Sequence, residues 1–442
     1  MSKYRTWVSV LILLTTVTVM AQVRGNGSRS SRLPLITPFS AIAQFISQHN
    51  PVLTHHRARA RFRRVEERQE AWLQQAPPNI SSLWGAASAL AHAVQDPHTV
   101  VFPSDSMGVV PVQFIWFSDN KLLVFPLSKV PGLSSGDSVW ALGRQTPAHL
   151  LRRLQTVISG NPYWVESMAG PYLSMGMVLT WLGVVHHHAV RIVLETPSHH
   201  RRSIVVPLYS ASTQWTNARN RLDVAWANAV QAPPGITVTA NSAEFFAWAV
   251  HPAHNYGVFW LWQCRDTAAY RAAVNAFFQR VMRDHITRVV WDLQDNEGGN
   301  AKVIAPWLRW MRTPFLLQGY NQTPWVVTST VPLSERFAGR TYVLVNGTTF
   351  SAAVMDADLL SANHLATLVG QPTGLGPSGY GNVLVKIFDG LTVQTSTETF
   401  VAPHGSWAPW LTPRILIPLT PEDLSDHHNP VAQWLDAGLP TK

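Results

Sequence analysis

The spacing of apolar positions predicts helices and short strands in the first part of the chain. From about residue 38 to 95 apolar residues recur at helical spacing, and Leu83 to Val94 form the clearest helix. Two short apolar runs, Val109 to Phe117 and Lys121 to Phe125, then predict strands, and Pro147 to about Val157 predicts another helix. This region is therefore expected to be of mixed secondary structure.

Two later runs predict a β-hairpin. Ala189 to Glu195 and Ser203 to Leu208 are both rich in β-branched residues, and a polar stretch with a proline separates them. Ala211 to Pro234 lacks a clear period and is interpreted as a connecting segment.

From about residue 236 strands and helices alternate. The predicted strands are Tyr256 to Gln263, Arg288 to Leu293, Tyr342 to Val345 and Leu365 to Val369, and the predicted helices are Ala268 to Asp284, Ala301 to Met311 and Ser351 to Ala362. Alternation with short corners is typical of a parallel or mixed sheet covered by helices. We therefore expect an α/β domain here.

The composition is that of a folded protein of two or three domains. Of 442 residues, 46% are apolar and 13% are charged, which excludes a disordered chain. The N-terminus has the pattern of a secretory signal, with Lys3 and Arg5 before the apolar stretch from Trp7 to Val19. We expect cleavage after Ala21, no membrane span after removal of the signal, and an exported protein, either periplasmic or secreted.

The positive charge has two interpretations. The net charge is +9, and basic residues concentrate in the stretch 55–64, which could bind nucleic acid or an anionic membrane surface. Glu66, Glu67 and Glu70 follow at helical spacing, which favours the solvated face of a helix. No nucleic-acid partner is therefore expected. Cys264 is the single cysteine, so an intrachain disulfide is excluded and a buried, inert thiol is expected.

Two strand-to-helix corners carry the candidate chemistry. Ser351 stands where a helix begins directly after a strand, a position that suits either a helix cap or a nucleophile. The other corner contains Gly298 and Gly299, whose backbone N–H groups could stabilise an oxyanion together with the N–H of Ala352. An ordinary turn is the alternative for the glycine pair.

His98 is a candidate general base because it follows the end of a helix and has an ordinary pKa near neutral pH. Among the other histidines, His186 and His188 could share a ligand on one face of a strand. No histidine, cysteine or carboxylate spacing matches a zinc site, and dinucleotide and phosphate-loop fingerprints are missing from the sequence. We therefore expect no metal and no cofactor.

Several segments together resemble the tail-specific (C-terminal processing) serine peptidases, in the branch of the tricorn core protease. The segments are those around Asp96–Thr99, Asp292–Gly299, Val343–Ala353, Val369–Gly374 with Tyr380–Gly381, and Leu419–Asp423. The resemblance implies a crotonase-like (ClpP-type) catalytic domain preceded by a PDZ-like domain and an N-terminal helical region. The domains expected are a signal peptide (1–21), the helical region (22–100), the PDZ-like domain (101–160), a hairpin-containing connecting region (161–235) and the peptidase domain (236–442).

The chain departs from the family pattern at the catalytic base and acid. Many members use a lysine about where Gly376 stands, which here points to His98 as the base. The resemblance places the family's glutamate in the segment 406–409, and no acid stands there. Glu398 is the nearest candidate, and Asp96 could in principle orient His98.

The function expected is therefore that of an exported serine endopeptidase acting on protein or peptide substrates. Ser351 forms the acyl-enzyme and His98 acts as the base. The alternative is an inactive family member that binds peptides or other ligands on the same scaffold. The sequence leaves the oligomeric state open.

Overall fold

The computed structural model describes residues 35–117, 121–127, 129–196, 199–210, 245–425 and 430–437. The predicted signal peptide and the predicted connecting segment 211–234 lie outside these residues. The described chain forms two compact units. The N-terminal unit contains the described residues up to 210 together with 380–399, and the C-terminal unit contains the described residues of 245–379 and 400–437.

Helices open the N-terminal unit, as the periodicity predicts. They are α1 (Ile36–His49), α2 (His56–Leu73) and α3 (Ile80–Val94). Asn79 caps α3, because its side-chain oxygen accepts a hydrogen bond from the N–H of Ser82 at 2.9 Å. At the other end Gln95 adopts the left-handed conformation that commonly ends helices. The basic stretch lies on α2 and contributes few buried residues, which agrees with a solvated helix face.

A sheet follows, with strand order β2-β3-β4-β6-β5 and β7 paired to β6. The strands are β1 (Val100–Phe102), which lies outside this sheet, β2 (Val112–Trp116), β3 (Leu122–Pro126), β4 (Asp137–Leu142), β5 (Val185–His186), β6 (Ala189–Glu195) and β7 (Arg201–Pro207). The predicted hairpin is present as β6 and β7, in antiparallel register from Ala189↔Pro207 to Glu195↔Arg201. Because β4 pairs with β6, this sheet continues across the domain boundary expected at residue 160.

Three helices accompany this sheet, and the sequence pattern predicts only the first. They are α4 (Pro147–Leu154), α5 (Pro162–Leu173) and α6 (Gly176–Trp181). Pro171 lies inside α5 and Gly170 precedes it, so local propensity argues against the helix. Tertiary packing allows it, since a Cβ on Gly170 would collide with the backbone of Phe114 in β2.

The last strands of the N-terminal unit come from a distant part of the chain. β15 (Gly379–Phe388) and β16 (Leu391–Phe400) follow later in the sequence, and β16 pairs antiparallel with β1 in the register Val100↔Gln394. The peptidase domain expected over 236–442 is thus interrupted, because residues 380–399 belong to the N-terminal unit.

The C-terminal unit is built on a six-stranded sheet in the order β17-β14-β13-β10-β9-β8. The pairs from β9 to β17 are parallel, and β8 pairs antiparallel with β9. The strands of this unit are β8 (Phe246–His251), β9 (Tyr256–Leu261), β10 (Arg288–Asp292), the short pair β11 (Leu316–Leu317) and β12 (Trp325–Val326), β13 (Arg340–Val345), β14 (Thr367–Gly370) and β17 (Ile415–Leu416). The helices are α7 (Ala268–Arg283), α8 (Ile304–Trp310), α9 (Ala352–Ala362), α10 (Pro421–Ser425) and α11 (Pro430–Asp436). The predicted α/β alternation is therefore present.

Both faces of this sheet are buried, as expected for parallel strands. One face packs on a large core in which Trp291 stacks on Trp307 with ring centroids 4.8 Å apart. The opposite face packs Tyr342 and neighbouring strand residues against Val431 and Leu435 of α11. Helices on both faces hold the strand ends in fixed positions, which is what a site at the sheet edge requires. Among the described residues, no helix is both long and apolar enough to cross a membrane.

Candidate active site

The two predicted corners leave the same edge of the sheet. Strands β10 and β13 are parallel neighbours with Asp292 opposite Leu344, and the N–H of Leu293 donates to the carbonyl of Leu344 at 3.0 Å. The chain segments that follow both strands therefore begin side by side at the carboxyl edge of the sheet. In open α/β sheets this edge is the usual place for a ligand.

Ser351 occupies a strained backbone position. Its φ of 52° and ψ of −126° are unusual for a residue with a side chain, and such positions cost on the order of 1–3 kcal/mol. Its hydroxyl makes no capping hydrogen bond to α9. The helix-cap alternative therefore does not account for this serine, whereas a sharp strand-to-helix turn is how several hydrolases present a nucleophile.

The glycine corner packs directly against Ser351. Gly298 and Gly299 have φ of +99° and +132°, which only glycine adopts without strain. A Cβ on Gly298 would lie 2.6 Å from the Cβ of Ser351 and 2.7 Å from the N of Ala352. A Cβ on Gly299 would collide with the carbonyl oxygen of Cys264. The two corners predicted from sequence are thus in contact, and the absence of side chains makes that contact possible.

The three predicted oxyanion donors differ in what their N–H groups do. The N–H of Gly298 donates to the Asn296 side chain at 2.8 Å, so it is already engaged. The N–H groups of Gly299 and Ala352 have no acceptor among the residues that the structure describes. Of the three, Gly299 and Ala352 are therefore the pair that can bind a developing negative charge.

Two asparagines that the sequence reasoning missed hold this geometry. Asn296 is fully buried and donates to the carbonyl of Leu261 at 2.8 Å while it accepts from Gly298. Asn346, directly after β13, donates to Asp295 at 2.8 Å and accepts from the N–H of Asp295 at 3.0 Å. Each corner contains an asparagine, four residues after β10 and directly after β13, and this is a signal that could have identified them, since asparagine side chains close such turns.

Two aspartates beside these asparagines have unusual acidities. Loss of hydration raises the pKa of Asp292 to about 7, against a hydrogen bond from the N–H of Gln294. Loss of hydration also raises the pKa of Asp295 to about 7, although hydrogen bonds from Asn346 and Thr348 oppose the shift. Both carboxyls therefore titrate near neutral pH, at the corner that carries the glycine pair.

His98 lies in the N-terminal unit, in the turn between α3 and β1. It is 6% exposed, and its backbone N–H donates to Asp96 Oδ1 at 3.0 Å. Gln394 of β16 donates to its carbonyl oxygen at 3.0 Å. Burial lowers the pKa of His98, and the nearby Asp96 carboxylate opposes the shift. The imidazole is therefore neutral at neutral pH, the form in which it can accept a proton.

Asp96 is fully buried and organises the turn around His98. Its carboxylate accepts hydrogen bonds from Thr99 Oγ1 at 2.6 Å and from Asn50 Nδ2 at 3.0 Å, in addition to the His98 N–H. Asn50 Nδ2 also lies 3.1 Å from Thr395 Oγ1. The distance from Asp96 Oδ1 to His98 Nδ1 is 3.9 Å, so the carboxylate fixes the backbone of His98 more directly than its ring. Asn50 and Thr395 carried no signal in the sequence because they are far apart along the chain.

Glu398 lies on β16 in the same N-terminal unit as His98. It is exposed, and its carboxylate accepts a hydrogen bond from Asn382 of β15 at 2.8 Å. The buried carboxylate in the turn of His98 is instead that of Asp96. Ser351, Gly298, Gly299 and Ala352 belong to the C-terminal unit, so the pairing of Ser351 with His98 and Glu398 stays a prediction.

Cys264 is buried beneath the glycine corner. Burial raises the pKa of its thiol well above the ordinary value, which keeps it protonated and unreactive. Within the described parts of the chain, no group of three or more histidine, cysteine, aspartate and glutamate side chains is arranged to hold a metal ion.

Comparison with known proteins assigns the chain to a class. Residues 255–415 match Peptidase family S41, and the chain is a serine-type peptidase. The matched segment contains Ser351, both glycines and Ala352. Comparison with curated proteins gave no match.

Solved structures agree at the level of the fold. The crystal structure of mature CPAF is 13% identical with a TM-score of 0.62, over 91% of this chain and 95% of that one. Mature CPAF complexed with lactacystin is 14% identical with a TM-score of 0.65, over 91% and 97%. The photosystem II D1 C-terminal processing protease is 16% identical over 88% and 94%, but its TM-score of 0.41 is too low to support an argument.

Proposed function

We propose that the chain is an exported serine endopeptidase that cleaves peptide bonds through an acyl-enzyme on Ser351. One observation carries this proposal: Ser351 is held in a strained turn against a glycine corner, beside two backbone N–H groups that lack acceptors among the described residues. A nucleophile next to paired amide donors is the arrangement that acyl transfer requires.

The proposed reaction begins when His98 takes the proton of Ser351 as the hydroxyl oxygen attacks the substrate carbonyl. The N–H groups of Gly299 and Ala352 donate to the resulting oxyanion, and each is expected to contribute about 3 kcal/mol to transition-state stabilisation. The protonated His98 then gives its proton to the leaving amine, which leaves the acyl group on Ser351. In the second half His98 takes a proton from water as the water oxygen attacks the acyl carbonyl, and it returns that proton to the Ser351 oxygen as the bond between Ser351 and the acyl group breaks. The neutral state of His98 supports its role as the base.

The orientation of His98 is proposed to depend on a carboxylate, for which the chain offers two candidates. Glu398 is the one expected from the family resemblance, and Asp96 is the buried one that already holds the backbone of His98. We propose Asp96 as the residue that positions the turn and retain Glu398 as the candidate third catalytic residue.

The finer architecture and the location of the protein are part of the same proposal. The crotonase-like domain, the PDZ-like domain and the N-terminal helical region are proposed from the resemblance in sequence. Export to the periplasm or the exterior is proposed from the charged and apolar pattern of residues 1–21. The substrates are then proteins or peptides met outside the cytoplasm.

A fluorophosphonate activity probe tests the nucleophile. Wild type is expected to be labelled and to cleave a casein substrate, and Ser351→Ala is expected to do neither. Ser361→Ala, which changes another serine on α9, serves as the matched control and should be labelled like wild type. Equal labelling of wild type and Ser351→Ala would remove Ser351 as the nucleophile. An unlabelled, folded wild type that binds peptides would favour the inactive binding protein.

A further inference from the structure

A cavity in the C-terminal unit begins one helical turn beyond Ser351. It has a volume of about 570 Å³, and its wall includes Met355 and Asp356 of α9 and Lys302 from the segment that follows the glycine corner. The N–H of Met355 donates to the carbonyl of Ser351 at 3.1 Å, so the cavity wall is part of the same first turn of helix as the nucleophile. A substrate held at Ser351 and the glycine corner would therefore have part of its length beside this cavity.

The cavity carries an excess of positive charge. Arg271 in its wall is compensated, because its Nε lies 2.8 Å from Asp266 Oδ1. Lys302 and Arg309 also line the cavity, and neither has a carboxylate within ion-pair distance among the described residues. Their two charges are therefore available to a ligand, and they attract an anionic group.

Asp356 adds a neutral donor to the same wall. It is 1% exposed, and its Oδ2 atom has no hydrogen-bond partner among the described residues. Burial raises the pKa of Asp356 well above its ordinary value, so the carboxyl is protonated at neutral pH and can donate its O–H. A buried polar atom without a partner is costly, and a ligand oxygen that accepts this hydrogen bond would remove the cost.

The remaining wall suits the carbon stem of a side chain. Trp325, Pro306 and Leu359 supply apolar surface. Tyr320 also contributes, but its hydroxyl already donates to Asp358 at 2.9 Å. The cavity thus combines apolar sides with two cations and one neutral acid, which is the pattern of a site for a group with an apolar stem and a negative end.

We propose that this cavity is a substrate subsite that recognises a carboxylate, supplied by an aspartate or glutamate side chain of the peptide or by its C-terminus. Lys302 and Arg309 provide the attraction, and Asp356 donates a hydrogen bond to one carboxylate oxygen. The inference rests on the proposed role of Ser351. The alternative is a subsite for a lysine or arginine side chain of the substrate. It is disfavoured because Lys302 and Arg309 would repel such side chains.

Peptide cleavage tests the subsite. Quenched fluorescent peptides carry glutamate, glutamine, lysine or leucine at each position flanking the cleaved bond, and each is made with a free or an amidated C-terminus. For wild type we expect kcat/KM to be about tenfold higher for a glutamate peptide, or for a free C-terminus, than for the matched neutral peptide. A preference that survives amidation assigns the carboxylate to a side chain, and one lost on amidation assigns it to the chain end.

Variants locate the preference in the cavity. Lys302→Ala and Arg309→Ala should each reduce it several-fold, and Lys302→Glu combined with Arg309→Glu should turn it toward lysine. Asp356→Asn keeps a neutral donor and should keep the preference. Arg312→Ala, an exposed arginine outside this cavity, is the control and should leave it unchanged. If carboxylate and neutral peptides are cleaved equally by wild type, or if the cavity variants behave like Arg312→Ala, the subsite is excluded.

Binding separates failure of the subsite from failure of the proposed function. Ser351→Ala cannot complete the proposed reaction, so fluorescence anisotropy of labelled peptides measures recognition alone. Tighter binding of the carboxylate peptides, reduced several-fold in Lys302→Ala, supports the subsite even if wild type does not react with the fluorophosphonate probe. Equal binding of carboxylate and neutral peptides, together with normal labelling of wild type, rejects the subsite and leaves the peptidase assignment standing.

Discussion

The corner at Ser351 and the turn at His98 are both built around candidate catalytic groups, but they are held in different ways. At Ser351 the backbone is strained, and Gly298 and Gly299 allow close contact because they lack side chains. At His98 the buried carboxylate of Asp96 collects hydrogen bonds from Asn50, Thr99 and the His98 backbone. One region thus depends on steric fit and the other on a satisfied polar network.

This difference implies different sensitivities to mutation. Steric fit fails when any atom is added, whereas a polar network fails when one partner is removed and the other stays buried without a hydrogen bond. Strain can also be relieved, so the first region should allow changes that increase stability while they destroy activity.

The largest effect is expected at the strained serine. Ser351→Gly removes the nucleophile and relieves the positive φ, so activity should fall by about 10⁴-fold or more. The free energy of unfolding should rise by roughly 1 kcal/mol, because glycine adopts this backbone geometry without the side-chain penalty. Peptide hydrolysis and urea denaturation measure the two effects. Ser351→Ala should be equally inactive but no more stable than wild type, and a stabilised alanine variant would contradict the strain argument.

Adding one methyl group to the glycine corner is the next most damaging change. Gly298→Ala places a Cβ 2.6 Å from the Cβ of Ser351, so the corner and the α9 start must move apart. We expect kcat to fall by about 10²- to 10³-fold, as when an oxyanion donor is lost. Gly390→Ala, at a hairpin turn where a Cβ would meet nothing within 4 Å, is the control for the cost of positive φ alone. Similar losses in both variants would argue against the close contact.

Removing a partner from the polar network should have a moderate effect. Asn50→Ala deprives the buried Asp96 carboxylate of one donor, so the free energy of unfolding should fall by about 1–3 kcal/mol. If Asp96 positions His98, the variant should also lower kcat with little change in KM.

Glu398→Gln changes an exposed carboxylate that accepts a hydrogen bond from Asn382, so it should change the free energy of unfolding by less than about 0.5 kcal/mol. A large loss of kcat in Glu398→Gln alone would make Glu398 the third catalytic residue.

The most gradual effect is expected from pH. The pKa values of Asp292 and Asp295 are raised to about 7, so the folded state holds protons that the unfolded state has released above about pH 4. The free energy of unfolding should therefore fall as pH rises from about 4 to about 7 and level off above that range. Asp295→Asn should flatten this slope in urea titrations at several pH values. An unchanged slope would show that Asp295 is ionised throughout.

Activity should depend on pH in the opposite direction. Burial lowers the pKa of His98 below the ordinary histidine value. The neutral form of the ring therefore predominates at every pH above that lowered pKa. In kcat/KM profiles we expect the rate to rise with pH through an apparent pKa below about 6.5 and then to reach a plateau. A rise centred well above that value would point to another base.

The sequence by itself determined the α/β alternation, the two corners and the residue types in them. β-branched runs indicate strands, and paired glycines or a serine before a helix indicate tight turns, because these are local properties of the backbone. The same reasoning failed for α5, where Pro171 argues against a helix that packing nevertheless stabilises.

Only the tertiary structure decided which of those residues meet. The contact of Gly298 with Ser351, the engagement of the Gly298 N–H by Asn296, and the assembly of Asn50 with Asp96 and Thr395 join positions tens to hundreds of residues apart. The inclusion of residues 380–399 in the N-terminal unit is of the same kind. Such contacts depend on how parallel strands and buried polar groups are placed in space, and no periodicity along a single chain records that placement.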